Sequence, residues 1–207
     1  AFENSAYSYV LHLKNNFGYI KIPSFYSSDY GINTLSNDVA KEIIKLKQDN
    51  IQGLVINLQD NGGGSMEEAI KLAGMFIDSG PISVLVNSKK KQDIIKDVNR
   101  GSAYNGPIIV LINGNSASAS EIVAGALQDH KRATIIGKTT FGKGSVQTVR
   151  PLSADSALKL TTAYYYTPTG KSIQAFGIKP DIAVDQNAEG DPDDVLITRE
   201  IDSEKHL

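Results

Sequence analysis

The 207-residue chain has no cysteine. This excludes disulfides, thiolate metal sites and a cysteine nucleophile. Histidine is scarce, with only His12, His130 and His206, and their spacing matches no metal motif such as H-E-x-x-H. No metal and no cofactor are expected. Apolar runs such as Pro107–Ile112 fall far short of the roughly 20 residues of a membrane span. Charge of one sign is also lacking, since 21 Lys and Arg against 23 Asp and Glu leave a net charge of −2. That speaks against general nucleic-acid binding, which needs a basic surface. Lys89-Lys90-Lys91 stands alone in a polar stretch and is expected to be a solvated loop. No signal peptide is visible at Ala1. The ends show no terminal features, so the chain is expected to be a piece of a longer protein.

The composition, 41% hydrophobic and 21% charged, predicts a folded core of one sizeable domain. Strands are expected over 7–13, 18–25, 53–58, 82–86, 107–112, 133–137, 145–149 and 157–166. Leu35, Val39, Ile43 and Leu46 recur at helical spacing, which predicts a helix from Thr34 to about Asp49. Further helices are expected over 66–78 and 118–130. The central alternation of strand, loop and helix implies an α/β fold: a mixed sheet with flanking helices, with the last strands as an antiparallel extension. Residues 185–207 hold eight acidic residues and two Lys or Arg, so they are expected to be an acidic linker or stub after a core over 1–184.

Three segments carry possible chemistry. Asn61-Gly62-Gly63-Gly64-Ser65 follows a strand and opens a helix, so its amides can bind an anion or simply form a turn. It lacks the full G-x-G-x-x-G fingerprint, because position 67 is Glu. Ser116-Ala-Ser118-Ala-Ser120-Glu121 enters the next helix. Ser118 is placed as a nucleophile at a strand-to-helix turn, with the Ala119 amide available to an oxyanion. Ser118-x-x-Glu121 is equally a capping box, and Ser116 or Ser120 could be the important serine. Thr140-Phe-Gly-Lys143-Gly-Ser-Val-Gln147 follows.

Lys143 lies 25 residues after Ser118 and can act as a base if burial favours its neutral form. In a strand, Gln147 would share a face with Lys143 and hold it in place. Gly137 to Lys143 matches most of a P-loop, but Gly144 stands where Ser or Thr should bind Mg²⁺. A Ser118–His130–Asp129 triad would put His130 near 18 Å from Ser118 at ~1.5 Å rise per residue, which excludes it.

Taken together, these segments resemble the C-terminal processing peptidases, or tail-specific proteases. The motifs Asn61–Gly64, Ser116–Glu121 and Thr140–Gln147 carry the resemblance. So do the run Leu160–Gln174, with its Thr-Pro-Thr-Gly-Lys centre, and Gly177–Asp181. It covers about residues 18–184. It implies a crotonase-like or ClpP-like βαβ core and a serine endopeptidase with a Ser–Lys dyad and an acyl-enzyme intermediate. Ser118 would be the nucleophile, Lys143 the general base and Gln147 its orienting residue. The Gly63 and Ala119 amides would form the oxyanion hole, with Gly64, Glu121, Asp129 and Thr140 in supporting positions. Substrates would be unfolded or C-terminally tagged proteins, and the site of action periplasmic or otherwise extracytoplasmic, with membrane association only through segments outside this chain.

Two departures stand out. Gln59 replaces an arginine frequent before the Asn-Gly-Gly loop, and no PDZ domain, expected in the full-length protein, fits ahead of Gly18. Two rivals share the fold: a retinoid-binding-protein-like module that binds ligands without catalysis, and a crotonase-group acyl-CoA enzyme.

Overall fold

A computed structural model describes residues 5–28, 33–97, 101–153, 155–184 and 200. Among these described residues, ten strands and three helices follow in the order β1 (Tyr7–His12), β2 (Asn16–Lys21), α1 (Leu35–Gln48), β3 (Gly53–Asn57), α2 (Met66–Gly74), β4 (Pro81–Asn87), β5 (Gln92–Lys96), β6 (Ile108–Ile112), α3 (Ala119–Asp129), β7 (Thr134–Gly137), β8 (Ser145–Ser153), β9 (Ser156–Tyr166) and β10 (Ile182–Ala183). A six-stranded sheet runs β1-β2-β3-β6-β7-β10. Its strands are parallel from β2 onward, while β1 pairs antiparallel with β2. A second sheet, β5-β4-β9-β8, is antiparallel throughout. This is the mixed α/β architecture expected, with its antiparallel extension.

The parallel strands alternate between two faces. Ile20, Ile56, Val110 and Ile135 come from neighbouring strands, point the same way and are buried. They join Val39, Ile43 and Leu46 of α1, Leu72 and Ala73 of α2, and Val123, Ala126 and Leu127 of α3 in one core. α1 forms because Leu35, Val39, Ile43 and Leu46 line one buried stripe. Thr34 caps its start by accepting from the Asn37 N–H at 3.4 Å, and Lys45 and Lys47 lie near its negative end. Tyr9 and Tyr19 stack on the opposite, partly exposed face of the sheet, with ring centroids 4.6 Å apart.

Beyond shifts of a single residue, five elements depart from expectation. β2 covers 16–21 where 18–25 was expected, and β8 runs on past Val149 to Ser153. α2 ends at Gly74, not near Asp78, although Phe76 and Ile77 stay buried beyond it. β5 and β10 are strands that the sequence pattern did not announce. Lys89, Lys90 and Lys91 are exposed in the β4–β5 turn, as expected. The acidic segment 185–207 lies outside the described residues, Glu200 excepted. Among the described residues no helix is long and apolar enough to cross a membrane.

Candidate active site

The carboxyl ends of β3, β6 and β7 open into three loops, which hold the three singled-out motifs. Ligands of open parallel sheets bind at this end of the strands. The loop after β6 turns sharply into α3. Ser116 Oγ donates to the Leu58 carbonyl at 2.8 Å and accepts from the Asn113 N–H at 3.0 Å. Ser120 Oγ donates to the Asn61 carbonyl at 2.8 Å. Both serines are fully buried, so their hydroxyls hold the loops together.

Ser118 differs from both. It is only half-buried, and its backbone has φ 57° and ψ −112°. Non-glycine residues seldom adopt that conformation, and strain of this kind clusters at functional sites. It is also the kind of sharp, strained strand-to-helix turn that exposes a nucleophile.

Ser118 and Glu121 are disposed as a capping box, yet the serine hydroxyl makes no cap hydrogen bond. The glutamate's half is formed: the Ser118 N–H donates to Glu121 Oε2 at 2.8 Å. The Glu121 N–H instead donates to the Ser118 carbonyl at 2.9 Å.

Glu121 is fully buried and gathers the site around it. Its Oε2 also accepts from the Lys143 N–H at 2.9 Å. Its Oε1 accepts from Thr140 Oγ1 at 2.6 Å and from the Gly142 N–H at 2.7 Å. Two bonds on one oxygen bring the Ser118 and Lys143 amide nitrogens to within ~6 Å of each other, given ordinary hydrogen-bond lengths. Loss of water pushes the Glu121 carboxyl above its ordinary range, while the hydrogen bonds from Thr140, Ser118, Gly142 and Lys143 pull the other way.

The Lys143 loop is clamped from its other side too. The Ala175 N–H donates to the Gly142 carbonyl at 2.8 Å, and the Gly144 N–H donates to Gln174 Oε1 at 2.9 Å. Gly142 has φ 99°, and a Cβ there would lie 3.1 Å from the Ala175 carbonyl carbon, so only glycine fits without strain.

The glycine loop lies directly against the elbow. A Cβ on Gly63 would come to 2.9 Å from both Ser118 Cβ and the Ala117 carbonyl oxygen, and to 3.2 Å from the Ala119 nitrogen. Gly64 is exposed beside it, with φ 140°. Ala119 opens α3, so its N–H has no intrahelical acceptor. The Gly63 N–H donates to Asn61 Oδ1 at 2.9 Å.

Two further expectations meet the geometry. β8 begins only at Ser145, and its register shifts between Val146 and Gln147. The same-face argument for Lys143 and Gln147 therefore has no regular strand to act through, and Gln147 is exposed. Asp129 closes the far end of α3, about 16 Å along the helix from Ser118. There Oδ2 accepts from the Thr169 N–H at 2.9 Å and from Thr169 Oγ1 at 2.6 Å, and Oδ1 accepts from Lys171 Nζ at 3.0 Å. It braces the 167–171 turn, not the Ser118 region. His130 Nε2 lies 2.7 Å from the Pro81 carbonyl oxygen, away from any triad.

The sequence reading missed the polar tie between the first two loops. Asp60 Oδ1 accepts from Asn113 Nδ2 at 2.8 Å and from Asn115 Nδ2 at 2.9 Å. Asn-Gly-Asn before Ser116 was the available signal, but its partner lies 53 and 55 residues earlier.

Known proteins resemble this chain closely. A carboxy-terminal-processing protease of Bartonella bacilliformis is 46% identical over 177 residues, covering 84% of this chain and 40% of the relative. A tail-specific protease of Haemophilus influenzae is 39% identical over 175 residues, covering 81% of this chain and 24% of the relative. The chain thus spans well under half the length of these relatives. The solved structure of a photosystem II D1 C-terminal processing protease superposes with a TM-score of 0.74 at 34% identity, covering 91% of this chain and 47% of that one. Residues 16–184 match peptidase family S41, and the chain belongs to that family.

Proposed function

We propose that this chain is the catalytic core of a serine endopeptidase working through a Ser118–Lys143 dyad. One observation carries the reading: a single buried carboxylate, Glu121, binds the backbone of both residues and so sets the strained serine against the lysine loop. Neutral Lys143 Nζ accepts the Ser118 hydroxyl proton as Oγ attacks the scissile carbonyl carbon. The Ala119 N–H receives the developing oxyanion, joined by the Gly63 N–H, which shares its proton between Asn61 Oδ1 and the oxyanion in a three-centre bond. Lys143 then gives its proton to the leaving amine, and water hydrolyses the acyl-enzyme. Thr140 and Gly64 support the two loops, and Gln147 steadies Lys143 once substrate is bound.

The names of the relatives point to substrates recognised by their C-terminal tails, and the family resemblance to an extracytoplasmic setting with a PDZ domain in the longer protein. The dyad is tested with Lys143→Arg, which keeps the charge but cannot deprotonate. It should abolish turnover, because the guanidinium holds its proton and cannot accept the serine's. Near-normal activity of Lys143→Arg rules the dyad out.

A further inference from the structure

Beside the dyad lies a polar cluster that the mechanism above does not use. Asp60 follows the β3 strand end and has φ 62°, a conformation uncommon outside glycine. Besides the two asparagine side chains bound by Oδ1, its N–H donates to Asn113 Oδ1 at 3.0 Å. Asn113 Oδ1 also accepts from the Asn115 N–H at 3.1 Å, which fixes the asparagine pair. The Lys21 ammonium on β2 bonds the Gln59 carbonyl and, at 3.3 Å, Asn57 Oδ1. It is the charged group acting on Asp60. Asp60 is held below the usual carboxylate range, first by the Asn115 hydrogen bond and then by Asn113 and Lys21, against burial.

Asp60 begins the loop that continues as Asn61–Gly64. Asn113 and Asn115 begin the loop that ends at Ser118. One carboxylate therefore bridges the segment bearing Gly63 to the segment bearing the nucleophile. The fit between them has no slack, since a single added carbon on Gly63 would meet Ser118 Cβ at 2.9 Å. Misplacements near 1 Å can cost a reaction about 10²-fold.

We propose that Asp60 is a positioning residue, which sets the glycine loop against the Ser118–Ala119 elbow through Asn113 and Asn115 without touching substrate. This rests on the peptidase reading. The backbone bond from the Ala117 N–H to the Asn61 carbonyl and the Ser120 hydroxyl bond survive in an Asp60 variant, so the loops stay joined but lose their registration.

The test is phosphonylation of Ser118 by a fluorophosphonate, followed by intact mass. In that reaction Oγ bonds to phosphorus, fluoride leaves and Lys143 takes the hydroxyl proton. Asp60→Ala should lower the maximal labelling rate ten- to a hundredfold with little change in the half-saturating concentration. Asn115→Ala, which alters an exposed side chain, should lower it about three- to tenfold, because one of the two bonds to Asp60 is lost. Asp60→Asn should keep most of the rate, because its single carbonyl oxygen can still accept from both amides. Maximal labelling at the wild-type rate in Asp60→Ala and Asn115→Ala overturns the assignment, as does Asp60→Asn labelling as slowly as Asp60→Ala. If Asp60→Ala fails to show a folded thermal transition, Asn115→Ala decides alone. Wild type labelled no faster than Ser118→Ala would defeat the peptidase reading itself, a result distinct from any change confined to the Asp60 and Asn115 variants.

Discussion

At the residue scale, Glu121 concentrates the most consequence. All four of its partners are donors, so only an ionised carboxylate satisfies them together, although burial opposes the charge. Glu121→Gln puts an NH₂ against two of these donors. It should cost roughly 3 kcal/mol of stability, measurable by thermal or urea unfolding, and lower turnover of the folded enzyme more than tenfold. The sign of the pH effect follows from the raised carboxyl. As pH falls through that value Glu121 takes up a proton, and one donor must turn away. The rate should therefore fall more steeply with falling pH in the wild type than in Glu121→Gln, whose amide takes up no proton. The same pH profile in both proteins would contradict this role. The small neighbours of Ser118 and Lys143 singled them out in the sequence, and the family resemblance supplied the roles proposed for them. The convergence on Glu121 was only half legible: its bond to Ser118 is local, whereas its bonds to Thr140, Gly142 and Lys143 span 19 to 22 residues.

At the scale of elements, the strained turn into α3 and the glycine loop after β3 form one unit. Gly63→Ala would force φ 105° on an alanine and push its methyl into Ser118 Cβ and the Ala117 carbonyl. A loss of about 1–3 kcal/mol is expected from strain and overpacking, with turnover down 10²–10³-fold because the oxyanion donors move. Wild-type turnover in Gly63→Ala would place the oxyanion elsewhere. The sequence announced α1 and the parallel strands well, because their apolar residues repeat with the right period. It overran α2, since Phe76 and Ile77 are buried in a turn and imitate helical burial. It missed β5, whose Gln-Asp-Ile-Ile-Lys is almost wholly exposed and lacks alternation. Two-residue β10 is set by pairing with Ile136 and Gly137, a contact across 46 residues that no local pattern records.

At the scale of the whole molecule, the parallel sheet brings three loops distant in sequence to one end, and the antiparallel β8–β9 ribbon continues from the lysine loop. Much of that ribbon is exposed on both strands, including Val149, Leu152, Leu158 and Leu160. The relatives are two to four times longer than their matched part, so capture of a substrate tail belongs to the proposal for the longer protein. The three loops that carry the proposed dyad meet within this core.

The central claim is tested most directly by incubating the chain with an unfolded protein bearing an apolar C-terminus, beside its Ser118→Ala variant, and reading the fragments by mass spectrometry. Fragments from the wild type that vanish with Ser118→Ala are the predicted result. The same fragments from both proteins would show that Ser118 is not the nucleophile and would contradict the account.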